Sequence, residues 1–286
     1  MKISGFTIIK NAVTNDYPIV EAITSILPVV DEMIVLIGDC NDGTEDLIKS
    51  INSLKIKIHH SVWDNNLRSG GTVLAVETNK AFEFIDPESD WAFYIQGDEA
   101  VHEKYHENII NSCMKYKDDV AVQGLLFKYL HFYGTYDYVG DSRKWYSHEV
   151  RIIRTDKRIQ SYKDAQGFRV GETKLLVKPI DAFIYHYGWV KSPEKMMKKI
   201  QNFVSLWHSN EAYLLKDAHD YSEFDSLELF KGSHPVVLHE RISKKNWLLK
   251  LDITKKKFSL KDRLLYLFEK KTGLRLFDFN NFKIIK

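Results

Sequence analysis

The first hundred residues alternate apolar runs of strand length with stripes at helical spacing, and this alternation constrains the fold more than any other feature of the chain. Phe6-Thr7-Ile8-Ile9 is a short β-branched run, and Ile19, Val20, Ile23, Ile26 and Leu27 recur at helical spacing until Pro28, which has no N–H to continue a helix. Met33-Ile34-Val35-Leu36-Ile37 is a continuous apolar run closed by the turn-rich Gly38-Asp39-Cys40-Asn41-Asp42-Gly43. Leu47, Ile48, Ile51 and Leu54 mark a second helix, Ile56-Lys57-Ile58 a third strand, Leu74, Thr78, Ala81, Phe82 and Ile85 a third helix, and Trp91-Ala92-Phe93-Tyr94-Ile95 a fourth strand. Four strands separated by three helices predict a parallel sheet covered on both faces.

Open sheets of this kind bind ligands beyond the carboxyl ends of their strands. The residues to inspect are therefore Lys10-Asn11, Gly38-Asp39, Trp63-Asp64 and Gln96-Gly97-Asp98-Glu99, which follow the four strands in turn. A hard divalent cation such as Mg²⁺ or Mn²⁺ takes oxygen ligands, often one or two carboxylates together with the phosphates of a substrate, and the last cluster has that composition.

After residue 100 strand-like pieces predominate: Val120-Ala121-Val122, Glu149-Val150-Arg151-Ile152-Ile153-Arg154 and Ala182-Phe183-Ile184-Tyr185-His186. Ser192-Pro193-Glu194 starts a helix with a capping hydroxyl and Pro at its first position, and Met196, Met197, Ile200, Phe203, Val204 and Trp207 supply its buried stripe. Ser259-Leu260-Lys261-Asp262 opens another, with Leu264, Leu265, Leu267 and Phe268 as its apolar face and Gly273 to end it.

The 286 residues carry a formal charge of only +2, unevenly spread. Residues 244–286 hold 13 Lys and Arg against 4 Asp and Glu, a local +9 on a body of −7. A solvated lysine-rich surface is the commoner meaning of such a tail; contact with an anionic membrane face is the functional one, and nucleic acid is not an expected partner. Two cysteines, Cys40 and Cys113, are too few for a disulfide framework or a Cys-based zinc site and fit a reducing compartment. No run approaches the roughly 18 apolar residues of a spanning helix, and the amino terminus reads as a strand rather than a signal peptide. The expected location is the cytoplasm, with peripheral attachment to the inner membrane face through the tail.

Phe6 to Asn11, the turn Gly38 to Thr44, Arg68-Ser69-Gly70-Gly71 with Thr78-Asn79-Lys80-Ala81, and Trp91 to Glu99 together resemble glycosyltransferase family 2 in order and spacing. The resemblance is good over about residues 3–100, is traceable through Glu149 to Arg154 and His186-Tyr187-Gly188-Trp189-Val190, and stops near 190. It implies an α/β GT-A fold, a Rossmann-like mostly parallel sheet flanked by helices, to which the helix signals beyond 190 add a helical C-terminal extension. Residues 1–100 would form the donor-binding half, 101–190 the acceptor-binding half of the same domain, and 191–286 the basic extension. The implied activity is inverting transfer of a sugar from a nucleoside-diphosphate sugar to a glycan, lipid-linked or protein-linked hydroxyl, with Mn²⁺ or Mg²⁺, in a setting such as polysaccharide synthesis.

Carried onto this chain, the family pattern makes Asn11, Asp39, Arg68, Gln96 and Asp98 donor contacts and Asp98 and His186 metal ligands. Gln96 stands where the family's first metal-motif acid would be, and Ile37 where its second-strand Asp would be, with Asp39 two residues later. An acceptor hydroxyl must lose its proton as it attacks, which calls for a base. Asp164 is the first candidate and Glu149 the second. Trp145, Tyr146, Tyr136 and Trp189 are candidates for stacking on sugar faces. Two other functions compete: a nucleotidyltransferase, against which the glycine-free Lys10 to Thr14 counts, and a degenerate module that binds nucleotide without turnover. His102-Glu103-Lys104-Tyr105-His106 fits the H-E-x-x-H zinc pattern but begins three residues after Glu99, too close to the strand for the long buried helix that such a site needs.

Overall fold

The computed structural model describes residues 1–64, 66, 67, 70–207 and 218–285, with the side chains of 203–207 excepted. Strands β1 (Ile3–Ile9), β2 (Glu32–Gly38), β3 (Ile56–Ser61) and β4 (Trp91–Tyr94) lie in the order β3-β2-β1-β4, all parallel. Helices α1 (Ile19–Ile26), α2 (Thr44–Lys49) and α3 (Thr72–Glu83) make the crossovers. Every residue of β1, β2 and β4 is buried, as strands covered on both faces must be. The alternation of side chains divides the core in two. Met33, Val35 and Ile37 pack with α1, whereas Ile34 and Leu36 pack with Val73, Ala81 and Phe82 of α3.

Beyond β4 the sheet changes character. The short β5 (Glu99–Val101) leads through a 3₁₀ turn into α4 (His106–Lys115), followed by β6 (Gly124–Tyr133), β7 (Tyr138–Gly140), β8 (His148–Arg154), β9 (Ile159–Tyr162), β10 (Gly167–Val170) and the long β11 (Thr173–Trp189). Strand β8 joins β4 antiparallel, β6 joins β8 antiparallel, and β11 runs parallel to β6. β5 pairs antiparallel with β11, placing Glu99 opposite His186 and Ala100 opposite Tyr185. The extension comprises α5 (Pro193–Trp207), β12 (Leu227–Leu229), α6 (His239–Ser243), α7 (Leu260–Thr272) and β13 (Phe282–Ile284). β12 pairs with β7, and β13 pairs with β11. The expected α/β class, a Rossmann-like sheet with flanking helices and C-terminal helices, is the one observed.

Three local expectations are corrected. Helix α2 ends at Lys49, so Leu54 lies beyond it and is fully exposed. Val120 to Val122 is a turn between α4 and β6, with Val122 buried and Val120 outside. The third concerns α7. Ser259 caps it by accepting from the Asp262 N–H, and Gly273, at φ 71°, ends it as predicted, but Leu264, Leu267 and Phe268 point to solvent. The face turned to the body is polar: the Tyr266 hydroxyl donates to Asp141 and Glu269 accepts from Arg143.

Candidate active site

The carboxyl ends of β1, β2 and β4 carry the polar residues that the topology predicts there. Asp39 follows β2. Its Oδ1 accepts from Lys10 Nζ at 2.7 Å and from the Trp63 backbone N–H at 3.0 Å, and these contacts hold the carboxyl below its ordinary pKa, the Lys10 bond foremost. The Trp63 indole lies against Gly38, so the ends of β1, β2 and β3 are joined by one side-chain cluster. Asn11 takes a left-handed conformation, φ 54°, and its carbonyl accepts from the Asn15 N–H, closing the turn that follows β1. Thr44 and Asp42 tie this turn to the next one: Thr44 Oγ1 accepts from Ala12 N–H and Asp42 accepts from Thr14 N–H, both at 2.8 Å. Arg68 lies outside the described residues.

After β4 the chain turns at Gly97, where a Cβ would lie 2.9 Å from Ile9. Asp98 and Glu99 then have opposite surroundings. Glu99 is fully buried: its two oxygens accept from Arg151 Nη2 at 2.8 Å and Nε at 3.0 Å, and Oε1 accepts from the Tyr129 hydroxyl at 2.7 Å. Its acceptor capacity goes to joining β5, β6 and β8, and it is not available to a cation. Gln96 donates through Nε2 to the Ala165 carbonyl at 3.2 Å, which brings the turn carrying Asp164 beside the Gln96 to Glu99 segment.

Asp98, its side chain 13% exposed, faces a polar corner. Lys199 Nζ, from α5, lies 3.1 Å from Oδ2 and donates to the Gly188 carbonyl at 2.8 Å. His186 Nε2, from β11, lies 3.8 Å from Oδ1. Burial pushes the Asp98 pKa up, but Lys199, then His186 and Lys191, outweigh it and hold the group well below its usual range. Lys191 is fully buried, donates to the Asp16 carbonyl at 2.6 Å, and is driven well below its ordinary pKa by burial and by Lys199.

The protonation of His186 follows from its neighbours. His131 Nε2 is 2.8 Å from the Tyr146 carbonyl, which can only accept, so that nitrogen carries the proton. Burial, followed by the proximity of His186, pushes the His131 pKa down to about 3, so its Nδ1 is a bare acceptor. The 3.1 Å contact between the two Nδ1 atoms then requires His186 to donate through Nδ1. Burial keeps His186 neutral, leaving its Nε2 lone pair facing Asp98. Asp98 and His186, 3.8 Å apart, would supply a carboxylate and an imidazole, a donor set that Mn²⁺ accepts. Among the described residues no group of three or more His, Cys, Asp or Glu side chains converges as a metal site. Any further ligands would come from a substrate or water.

The two candidate bases differ sharply. Asp164 lies in a tight turn between Lys163 and Ala165, both at positive φ, and is partly exposed. Glu149 is buried in β8, its Oε2 has no hydrogen-bond partner among the described residues, and burial pushes its pKa up to about 8. Of the four aromatic candidates, Trp145 and Tyr146 are half-buried and pack on the His131 imidazole, with centroids at 5.2 and 4.3 Å. Tyr136 is buried in a core cluster and Trp189 packs against another. The imidazoles of His102 and His106 diverge, to Ser233 Oγ and to the Ser25 carbonyl, each at 2.8 Å.

Sequence reasoning missed Lys199 and His131. The first stands in a stripe that otherwise reads as core helix, the second in the apolar run of β6, and neither has a local signal.

No protein-family model matches the sequence, and no curated protein matches it. Solved structures give distant similarities. Residues 1–349 of S. aureus TarS in complex with UDP-GlcNAc are 16% identical, at a TM-score of 0.40, over 72% of this chain and 66% of that one. The chain spans 39% of the longer TarS structure. Glucosyl-3-phosphoglycerate synthase from Mycobacterium tuberculosis, with Mn²⁺, UDP and phosphoglyceric acid, is 18% identical at a TM-score of 0.32, over 46% and 43%. The 4-diphosphocytidyl-2C-methyl-D-erythritol synthase of Anaerococcus prevotii is 13% identical at a TM-score of 0.40, over 72% and 94%.

Proposed function

We propose that the chain is an inverting glycosyltransferase that moves a sugar from a nucleoside-diphosphate sugar to a hydroxyl of a glycan, lipid-linked or protein-linked acceptor. The observation that carries this reading is Asp98 Oδ1 lying 3.8 Å from Nε2 of His186, at the carboxyl end of a parallel sheet. On this reading residues 1–100 bind the donor, 101–190 shape the acceptor side, and 191–286 supply Lys199 and the basic extension.

Asp39, held by Lys10 and Trp63, and Asn11 lie where the nucleoside would sit, with Arg68 assigned by the sequence alone. Gln96 and Asp98 lie toward the diphosphate. Asp98 and His186 would hold Mn²⁺ or Mg²⁺, which when bound offsets the charge building on the departing diphosphate. Lys199 adds positive charge at the same corner. Glu149 is enclosed in β8, whereas Asp164 is partly exposed on a turn beside Gln96, so Asp164 is assigned to take the acceptor proton. As it does so the acceptor oxygen bonds to the anomeric carbon, and the bond to the diphosphate breaks on the opposite face with inversion. Trp145 and Tyr146 are the aromatics placed to flank a sugar.

The test is release of nucleoside diphosphate from UDP-, GDP- and dTDP-sugars with Mn²⁺ or Mg²⁺. Metal-dependent release from one donor, abolished by Asp98→Asn, supports the reading; absence of both release and donor binding by the folded protein overturns it. Asp164→Asn should lower kcat by roughly 10²-fold or more with donor affinity kept, and Glu149→Gln should keep activity. Lys199 on Asp98, together with Gln96 in the motif, favours a second reading, nucleotide binding without turnover. Donor binding with no transfer to any acceptor would assign the chain to that class.

A further inference from the structure

The outward face of α7 carries an exposed apolar stripe. Leu260, Leu264, Leu267 and Phe268 follow the i, i+4, i+7, i+8 spacing of one helical stripe. Leu260 is 84%, Leu264 70% and Leu267 55% exposed, values that exclude packing against the body. Phe277 and Phe279, 86% and 75% exposed, continue the apolar surface past Gly273. Lys261 and Arg263 lie on opposite flanks of the stripe and Lys271 lies along it, and none of the three makes an ion pair among the described residues.

The opposite face of α7 is fastened to the body. Tyr266 and Lys270 hold Asp141, Glu269 holds Arg143, and Arg275 donates to the carbonyls of Arg143 and Trp145 at 2.7 and 2.8 Å. The apolar stripe is therefore held outward by polar contacts on its back. It is not a core helix that has lost its partner. Other aromatics of the tail are engaged with the body: Phe282 is buried in β13, and Trp247 donates to the Gly134 carbonyl.

We propose that α7 and the segment to Phe279 form a docking surface for an anionic lipid bilayer, with the leucines and phenylalanines entering the interface and Lys261, Arg263 and Lys271 meeting acidic headgroups. A narrow apolar stripe between cations, on a helix too short and too polar to span, is the composition of an interfacial helix. A nucleic-acid surface would use the cations and leave the leucines in water. Docking would leave the loop Asp141 to Tyr146, which carries Trp145 and the carbonyl that orients His131, on the protein side of α7, one helix away from the bilayer. The proposal stands whether or not the chain transfers sugars.

The experiment is flotation of the full chain with phosphatidylcholine vesicles, with and without phosphatidylglycerol. Binding should require phosphatidylglycerol, weaken as salt is raised, and fall by more than roughly tenfold in Leu264→Gln/Leu267→Gln, whose thermal melt should be unchanged because both side chains are already in water. Failure of the intact protein to float with phosphatidylglycerol, or equal flotation of the double variant, overturns the proposal. So does a dimer in lipid-free solution that the same variant abolishes, since the stripe would then belong to a second copy.

Discussion

Burial in β8 pushes the Glu149 carboxyl up to about 8, so between the usual carboxylate pKa and pH 8 the folded chain holds a proton there that the unfolded chain has released. The stabilisation this gives is fully present below the unfolded value, near pH 4, and is lost as the pH rises through 8. Glu149→Gln, with a neutral amide of the same shape, should therefore gain on the native chain by about 1–3 kcal/mol at pH 9 and by little at pH 5. Thermal melts at the two pH values check this, and a gap independent of pH would overturn it. The neighbouring lesson concerns Glu99. In the sequence it reads as half of an acidic pair; in the fold it is the fully buried partner of Arg151, which comes from the distant strand β8. The position of Asp98 after β4 was legible from the strand pattern, whereas the loss of Glu99 to Arg151 depends on a residue 52 positions away.

At the scale of elements, one strand does most to assemble the site. β11 runs from Thr173 to Trp189, pairs with β6, β5, β10 and β13, and ends at His186 to Gly188 beside Asp98. Gly188 is the close approach: a Cβ there would lie 2.7 Å from both Asp98 Oδ2 and His186 Nε2. Gly188 is buried, so Gly188→Ala should push these two groups apart and lower nucleoside-diphosphate release by roughly tenfold or more at a temperature where the variant, although less stable, is still folded. Similar loss of activity and of folded structure would mean that Gly188 serves packing alone. The Glu99–Arg151 pair joins β5 to β8, and Glu99→Gln leaves a buried guanidinium without its counter-charge. The expected cost is about 3–5 kcal/mol in urea unfolding, and Glu99→Leu with Arg151→Met should cost much less.

Over the whole molecule the chain is tied back on itself. The extension leaves at Val190 and returns as β13, where Phe282 is buried against Leu175 and Asn281 accepts from Arg169 Nη2 at 2.7 Å. Deleting residues 281–286 removes an edge strand and this contact. It should lower the melting temperature by several degrees within a single transition, since the sheet is continuous from β3 to β9. An unchanged melting temperature would show that the return strand is not integral. No helix among the described residues is long and apolar enough to cross a membrane.

By itself the sequence determined the parallel half of the sheet, the ends at which Asp39 and Asp98 emerge, the caps of α7 and the basic character of the tail. These follow from local chemistry: runs at period two or 3.6, turn residues, and a serine and a glycine at the two ends of a helix. Only the tertiary structure decided which acid faces the corner and which is buried, which nitrogen of His186 is bare, that Lys199 reaches Asp98, and that the leucines of α7 face water. Each of these depends on the surroundings that distant strands supply. A leucine stripe has the same spacing whether it meets a core or a solvent face, and a carboxyl group has the same sequence signature whether it is ionised or protonated.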